Sequence, residues 1–300
     1  MSLKKEEIAE WFRKLQLNIC NELEAEDGKA KFVEDTWERP GGGGGHTRVI
    51  QHGNVFEKGG VNFSAVHGKL SDKIITALGL ENNDFFATGV SIVIHPINPF
   101  VPIIHMNVRY FELGDGTFWF GGGIDLTPHY IQTEDAKFFH QQLKRTCDRF
   151  NSSYYPDFKK WADDYFYINH RKETRGVGGL FFDRLKNDAE HTKEQRWDFV
   201  KAVGNTFAPT YRHLVSKNKE KSFTDENLKW RNLRRGRYVE FNLVYDKGTK
   251  FGLETDGRIE SILMSLPENA SWFYNFQPKT GSAEYNTTQL LIKGRDWVES

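Results

Sequence analysis

Residues 88–128 read TGVSIVIHPINPFVPIIHMNVRYFELGDGTFWFGGGIDLTP, and the alternation within them decides the fold. In an extended chain Ser91, Val93 and His95 fall on one face, and Val90, Ile92 and Ile94 on the other. Pro96, Asn98, Pro99 and Pro102 then force an irregular loop. In the next run Ile104, Met106, Val108 and Tyr110 share the apolar face, while His105, Asn107 and Arg109 share the opposite one. Gly114-Asp115-Gly116 closes a hairpin into Thr117–Phe120. The run Gly121-Gly122-Gly123 is expected to end that strand and deliver Asp125 at its exit. A sheet face carrying Ser91, His95, His105, Asn107 and Arg109, with Asp125 at the rim, is a poor outer surface. It suits the floor of a site for an anionic ligand.

Outward from this stretch, 300 residues suffice for one large domain, and no internal repeat or long linker divides the chain, so residues 1–300 are read as one domain. Lys+Arg and Asp+Glu are both 41. With that balance no global field draws the chain to nucleic acid or an anionic membrane, and any electropositive site is local. Aromatic residues make up 14% of the chain, enough for a bulky core and a flat apolar ligand surface. The two cysteines, Cys20 and Cys147, rule out a disulfide framework and suit a reducing compartment. No apolar run is long enough to span a bilayer. The segment MSLKKEEIAEWF lacks an apolar signal core, so a cleaved leader is not expected and the location expected is cytoplasmic.

Helical spacing of Ile8, Trp11, Phe12, Leu15, Ile19 and Leu23 predicts a helix over 4–24, ending near Gly28. Gly41–Gly45 lacks the Lys-Ser/Thr of a phosphate loop and is read as a mobile loop beside short strands at His46–Gln51, Asn54–Lys58 and Val61–Val66. Leu70–Leu78 is a short helix. Thr133 caps a helix striped by Ala136, Phe139, Leu143, Cys147 and Phe150, and Phe158–Ile168 is a second, aromatic one. Thr192 and Gln195 form a capping box for a long helix interrupted at Pro209. Trp230–Arg237 carries Arg231, Arg234, Arg235 and Arg237, after which Tyr238–Tyr245 and Arg258–Met264 read as strands. Arg171 and Arg175, four apart beside a glycine-rich turn, suit carboxylate capture, because guanidinium forks bind carboxylates bidentately. His95, His105 and Asp125 also offer the two-histidine, one-carboxylate set of non-haem iron oxygenases, without the usual His-x-Asp/Glu spacing.

Five segments resemble the oxygen-dependent coproporphyrinogen III oxidase family, in order and over about residues 30–275. They are WERPGGGGGHTRVIQHGNVFEKGGVNFSAVHG at Trp37–Gly68, HPINPFVPIIHMNVRYFE, FWFGGGIDLTP at Phe118–Pro128, KKWADDYFYINHRKETRGVGGLFFD, and RRGRYVEFNLVYDKGTKFGLETDGRIESILMSLP. Ala162 stands where that pattern usually has cysteine, and Gly60 where alanine is common. The resemblance implies an α+β fold with a large antiparallel β-sheet flanked by helices on both faces. It implies conversion of two propionates of coproporphyrinogen III to vinyl groups, with O2 as co-substrate and no organic cofactor. On this resemblance His105 is the proton donor and Asp125 receives hydrogen bonds from the pyrrole N–H groups. Ser91, Asn107, Val108, Arg109, Asp256, Gly257 and Arg258 contact substrate, with Arg171 and Arg175 as further propionate ligands. A divalent metal, where used, takes His95, His105, His140 and His170. The partners implied are the tetrapyrrole and a second copy of the chain, met around Tyr238–Tyr274. A tetrapyrrole carrier without turnover would use the same arginines.

Overall fold

The computed structural model describes residues 3–70, 75, 84–254 and 257–299. The chain opens with helix α1 (Lys5–Asp27), whose buried Ile8, Phe12, Leu15, Ile19 and Leu23 form one apolar stripe. Gly28 stops it in the left-handed conformation that glycine adopts without strain. Six strands follow: β1 (Val33–Glu38), β2 (Gly43–Gln51), β3 (Phe56–Lys69), β4 (Asp84–Pro96), β5 (Ile103–Leu113) and β6 (Phe118–Thr127). Then come α2 (Thr133–Asp148), α3 (Tyr154–Tyr165), a two-stranded pair of β7 (Tyr167–Ile168) and β8 (Glu173–Thr174), and β9 (Gly179–Leu185). The remainder is helical: α4 (Lys193–Asn218), α5 (Asp225–Val244), α6 (Lys247–Glu254), α7 (Ile259–Leu263) and α8 (Ala283–Leu290).

Among the described residues seven strands form one antiparallel sheet in the order β1-β2-β3-β4-β5-β6-β9. Its first face buries Val90, Ile92, Ile94, Ile104, Met106, Val108 and Tyr110 against α1, α2 and α4 in a core that also takes Trp297. Each such side chain contributes about 1.5–3 kcal/mol of transfer free energy. The second face is covered at one end by α5, whose Tyr238 packs on Val93 and Ile103. Helices therefore lie on both faces of an antiparallel sheet, as the resemblance implied.

Several local expectations give way. Gly43–Gly45 belong to a paired strand, since Gly45 lies against Trp37 of β1 and Ser64 of β3. Gly121–Gly123 do not end β6; they pair with Arg109, Val108 and Asn107, and Asp125 lies inside the strand opposite His105. Pro209 does not interrupt α4, because its face is exposed and water can take up the Asn205 carbonyl that proline's missing N–H leaves free. The predicted strand Tyr238–Tyr245 is the second half of α5, and Arg258–Met264 forms α7 with its cap residues. In α5 the buried stripe Trp230, Leu233, Arg234, Tyr238 and Phe241 contains an arginine paired with Glu173, which hides the helical period from a reading that counts only apolar residues. The helix expected at Leu70–Leu78 lies, apart from Leu70 and Ile75, outside the described residues.

Close approach fixes one glycine beside the site. A Cβ on Gly179 would meet the Ile124 carbonyl oxygen of β6, a backbone atom that cannot swing away. Gly179→Ala is expected to cost about 1–3 kcal/mol as an overpacked contact. It should lower the thermal midpoint while leaving α4 and α5 helical by circular dichroism.

Candidate functional site

Cross-strand partners point the same way, so the register alone lays out the second face. One row crosses all seven strands: Asp35, Thr47, Asn62, Ser91, Asn107, Gly123 and Phe181. Its first five members are polar. On one side runs Gly60, Val93, His105 and Asp125; on the other run Ser64, Gly89, Arg109 and Gly121. The predicted floor thus exists, and β1–β3 extend it with Asp35, Thr47 and Asn62, which sequence reasoning missed although Asn62 and Ser64 alternate with buried Val61 and Phe63.

Arginines sit at both ends of this row. Arg258, the cap residue of α7, donates to Ser261 Oγ at 3.1 Å and to Asp35, while Thr47 Oγ1 lies 2.7 Å from Ser261 Oγ. Arg109 donates from Nη1 to Asn107 Oδ1 and from Nη2 to Asp183 Oδ1, each at 2.8 Å. Four strand spacings separate Asp35 from Asn107, about 19 Å. Gly60 lets Met264 settle on the floor, since a Cβ there would meet the Met264 sulfur and the methionine side chain would have to move. Ala162, the other departure, is buried with Phe166, Ile168 and Phe241.

Beside the row lies the densest electrostatic centre. Asp125 is 1% exposed. Its Oδ1 accepts from His105 Nδ1 at 2.8 Å and from Arg175 Nη2 at 2.8 Å, and its Oδ2 accepts from the same Arg175 nitrogen at 2.7 Å. The Arg175 guanidinium also donates to Asn242 Oδ1 at 2.9 Å and is enclosed by the rings of Phe166, Tyr238 and Phe241 at 4.3, 4.7 and 4.7 Å. Burial alone would push the Asp125 carboxyl up; the Arg175 charge and the His105 contact override it and hold the group below the usual carboxylate range. An ionised carboxylate only accepts, so His105 Nδ1 carries the proton and Nε2 is left for a ligand on the partly exposed side of the ring.

Three expectations change here. Asp125 is not an open acceptor for pyrrole N–H groups, because it is buried and engaged by Arg175 and His105; the ring nitrogen with no protein partner among the described residues is His105 Nε2. Arg171 and Arg175 are not presented as propionate ligands. Arg175 is spent on Asp125, and Arg171 grips Glu240 bidentately through Nε at 2.8 Å and Nη2 at 2.7 Å. Burial would raise Glu240, but the hydrogen bonds from Arg171, His170 and Trp272 bring it down to about 2. Val108 points into the apolar layer, fully buried, so its side chain does not reach the floor. Gly257 donates its N–H to Gly252 O, and Asp256 lies outside the described residues.

The histidines proposed as metal ligands do not converge. His95 Nε2 meets Ser265 O at 2.8 Å, and His140 meets Tyr155 Oη and Val177 O at 2.9 Å each. His170 meets Tyr245 Oη at 2.8 Å and Glu240 at 2.6 Å. Burial pushes His140 down to about 3, which keeps it neutral in the packed interior. Among the described residues no group of three or more His, Cys, Asp or Glu side chains is placed to hold a metal ion, so neither the four-histidine set nor the iron triad fits, and no step is routed through a metal.

A polar sheet floor with an arginine at each end and a histidine backed by a buried ion pair is an arrangement that can bind carboxylates and exchange a proton with what they carry. The family model for coproporphyrinogen III oxidase matches residues 7–297. The chain belongs to that family, and so to an oxygen-dependent class of oxidases. It is 48% identical to coproporphyrinogen-III oxidase 1, chloroplastic, of Arabidopsis thaliana, across 95% of this chain and 77% of that protein. It is 49% identical to the oxygen-dependent coproporphyrinogen-III oxidase of Drosophila melanogaster, across 95% and 76%. With the mitochondrial enzyme of Rattus norvegicus the figures are 50%, 94% and 66%. These names overturn the expected cytoplasmic location: the Arabidopsis relative is named chloroplastic and the rat relative mitochondrial. Among the described residues no helix is long and apolar enough to cross a membrane.

Proposed function

We propose that this chain, acting as one catalytic domain in haem biosynthesis, converts two propionates of coproporphyrinogen III to vinyl groups and so forms protoporphyrinogen IX. The observation that carries this is the polar row with Arg109 and Arg258 at its ends and His105 Nε2 at its side. The floor supplies what a tetra-anionic, hydrogen-bonding macrocycle needs: guanidinium forks for propionates, and Ser91, Asn62 and Asn107 between them. Each conversion balances as R–CH2–CH2–COO⁻ + O2 + H⁺ → R–CH=CH2 + CO2 + H2O2. The carbon–carboxylate bond breaks, its electron pair becomes part of the new double bond, and one hydrogen leaves the adjacent carbon. O2 takes up two electrons.

His105 Nε2 accepts a pyrrole N–H proton, which makes the ring electron-rich enough to attack O2. The peroxide so formed on the substrate departs with the side-chain hydrogen as CO2 leaves, and His105 returns its proton. Asp125 holds the imidazole in the tautomer this requires and stabilises the imidazolium, as a buried carboxylate does in other proton-transfer sites. The substrate is itself the reductant. Protein treated with chelator, mixed anaerobically with coproporphyrinogen III and then opened to air, should yield product with protoporphyrin fluorescence on reoxidation. Binding without product under every condition would leave a tetrapyrrole carrier.

The same reading makes the chain a homodimer. Leu243, Val244, Ile259, Trp272, Phe273 and Tyr274 are exposed apolar residues within the segment Tyr238–Tyr274 that the resemblance implies for the contact. A self-complementary contact there fits twofold symmetry. Ile259→Glu is expected to shift the protein from dimer to monomer in sedimentation at micromolar concentration; an unchanged dimer would place the interface elsewhere.

A further inference from the structure

Strand β9 contains an irregularity that the reaction as described does not use. Its pairing with β6 slips by one residue between Phe120 and Gly122, because Phe120 faces Leu185 while Gly122 faces Phe182. The extra residue is Arg184, which takes a left-handed backbone with φ 50° although it is not glycine. Bulges re-aim side chains, and backbone of this kind persists where surrounding structure insists on it. The residue just before it is Asp183. Its carboxylate leans over Gly121 and accepts from Arg109 Nη2 at 2.8 Å.

Gly121 supplies the space. A Cβ there would stand 2.6 Å from Asp183 Oδ1 and 2.7 Å from Arg109 Nε, so any larger residue would drive the pair apart or off the sheet. Asn107 Oδ1 takes the other terminal nitrogen of the same guanidinium at 2.8 Å. Three independent features, a bulge, a glycine and an asparagine, thus converge on the orientation of one side chain. Arg109 has five N–H donors. Two are committed to Asn107 and Asp183, and the Nε–H with the remaining terminal hydrogens stays available to a ligand carboxylate. A pre-oriented fork loses less freedom on binding than a loose one.

We propose that Asp183 is a positioning residue: through the β9 bulge and the hollow over Gly121 it sets the Arg109 guanidinium to receive one propionate of the substrate in a single orientation. The inference rests on Arg109 being a propionate contact. Asp183 does not touch the substrate. It neutralises part of the charge on Arg109, so it lowers attraction for anions in general while raising discrimination for a carboxylate arriving from the floor.

A double-mutant cycle in the full-length protein tests this, with KM and kcat for coproporphyrinogen III measured for Arg109→Ala, Asp183→Ala, Asp183→Asn and the double variant Arg109→Ala/Asp183→Ala. Asp183→Ala is expected to raise KM about tenfold with a smaller change in kcat. Asp183→Asn, which keeps the acceptor oxygen, should recover most of that loss. In the Arg109→Ala background the Asp183→Ala change should have no further effect on KM, because nothing remains to be positioned. An equal loss in both backgrounds, or no loss with Arg109 intact, would overturn the proposal. If Arg109→Ala itself leaves KM unchanged, the propionate contact fails instead, which is a separate outcome. Circular dichroism and the thermal midpoint of each variant separate misfolding from misplacement.

Discussion

Asp125→Asn is expected to cost about 3–5 kcal/mol of folding stability, because it leaves the Arg175 guanidinium buried without a counter-charge. It should also lower kcat by about 10²–10⁴, the range typical of lost general acid–base catalysis. Asparagine nearly preserves shape, so the loss comes from charge and proton placement. Its amide can donate to His105 Nδ1, which turns the ring over to the other tautomer and puts the hydrogen on Nε2, where a base is needed. KM should move little, since Asp125 is buried and engaged by His105 and Arg175. The stability part has a pH signature. A carboxyl held below its ordinary range contributes in full above that range and loses its contribution as pH falls through the lowered value. The gap between wild type and Asp125→Asn in denaturant midpoint should therefore be widest near neutrality and narrow below about pH 4. A gap constant across that range would mean that the Asp125 charge is not what stabilises this centre.

Arg175→Met should be about as damaging, again about 3–5 kcal/mol, for the mirror-image reason. Without the guanidinium, Asp125 stays enclosed with only the His105 hydrogen bond. Burial then dominates and raises the carboxyl, which takes up a proton or leaves its place beside His105. Turnover falls because the imidazolium loses the fixed negative charge beside it. Methionine fills the cage of Phe166, Tyr238 and Phe241 with apolar contact, so the damage is electrostatic rather than a cavity. Pairing the changes isolates this. Asp125→Leu/Arg175→Met removes both charges, and its stability loss should be smaller than the sum of the two single losses. Turnover should not recover. Additive losses in unfolding experiments would show that the two side chains act independently, against the geometry that joins them.

The sheet that holds this centre was legible in the sequence where one face is wholly apolar. The alternation of Val90, Ile92 and Ile94 with Ser91, and of Ile104, Met106 and Val108 with His105, Asn107 and Arg109, maps onto the buried core and the polar floor, whereas Val93 and His95, expected on that floor, are buried against Tyr238 and the Ser265 carbonyl. It failed where polar residues are buried by pairing. Arg231, Arg234 and Arg235 lie within the fold against Glu57 and Glu173, so half of α5 passed for a strand. Glycine misled in the opposite sense. Gly43–Gly45 and Gly121–Gly123 serve as strand residues because neighbouring backbone and the Arg109–Asp183 pair occupy the space a side chain would need.

Within the site, sequence spacing identified His105, Asp125, Asn107 and Arg109 as neighbours but not their division of labour. That Asp125 faces Arg175 rather than a ligand follows from a contact between residues 50 apart. No local pattern carries it. The same limit explains the four histidines, whose common chemistry suggested a metal while the fold sends each to a different partner. Asp183 was within reach, since alternation in β9 puts it on the face of Phe181 and opposite Phe182, but its importance needs the bulge at Arg184 to be seen.

The most direct measurement is a single-turnover experiment with His105→Gln beside the wild type. Coproporphyrinogen III is bound without oxygen, the affinity is recorded, and air is then admitted. The expected result is near-normal binding by the variant with loss of protoporphyrinogen IX, CO2 and H2O2 formation by two or more orders of magnitude. Turnover by His105→Gln at the wild-type rate would contradict the assignment of His105 Nε2 as the atom that handles the proton.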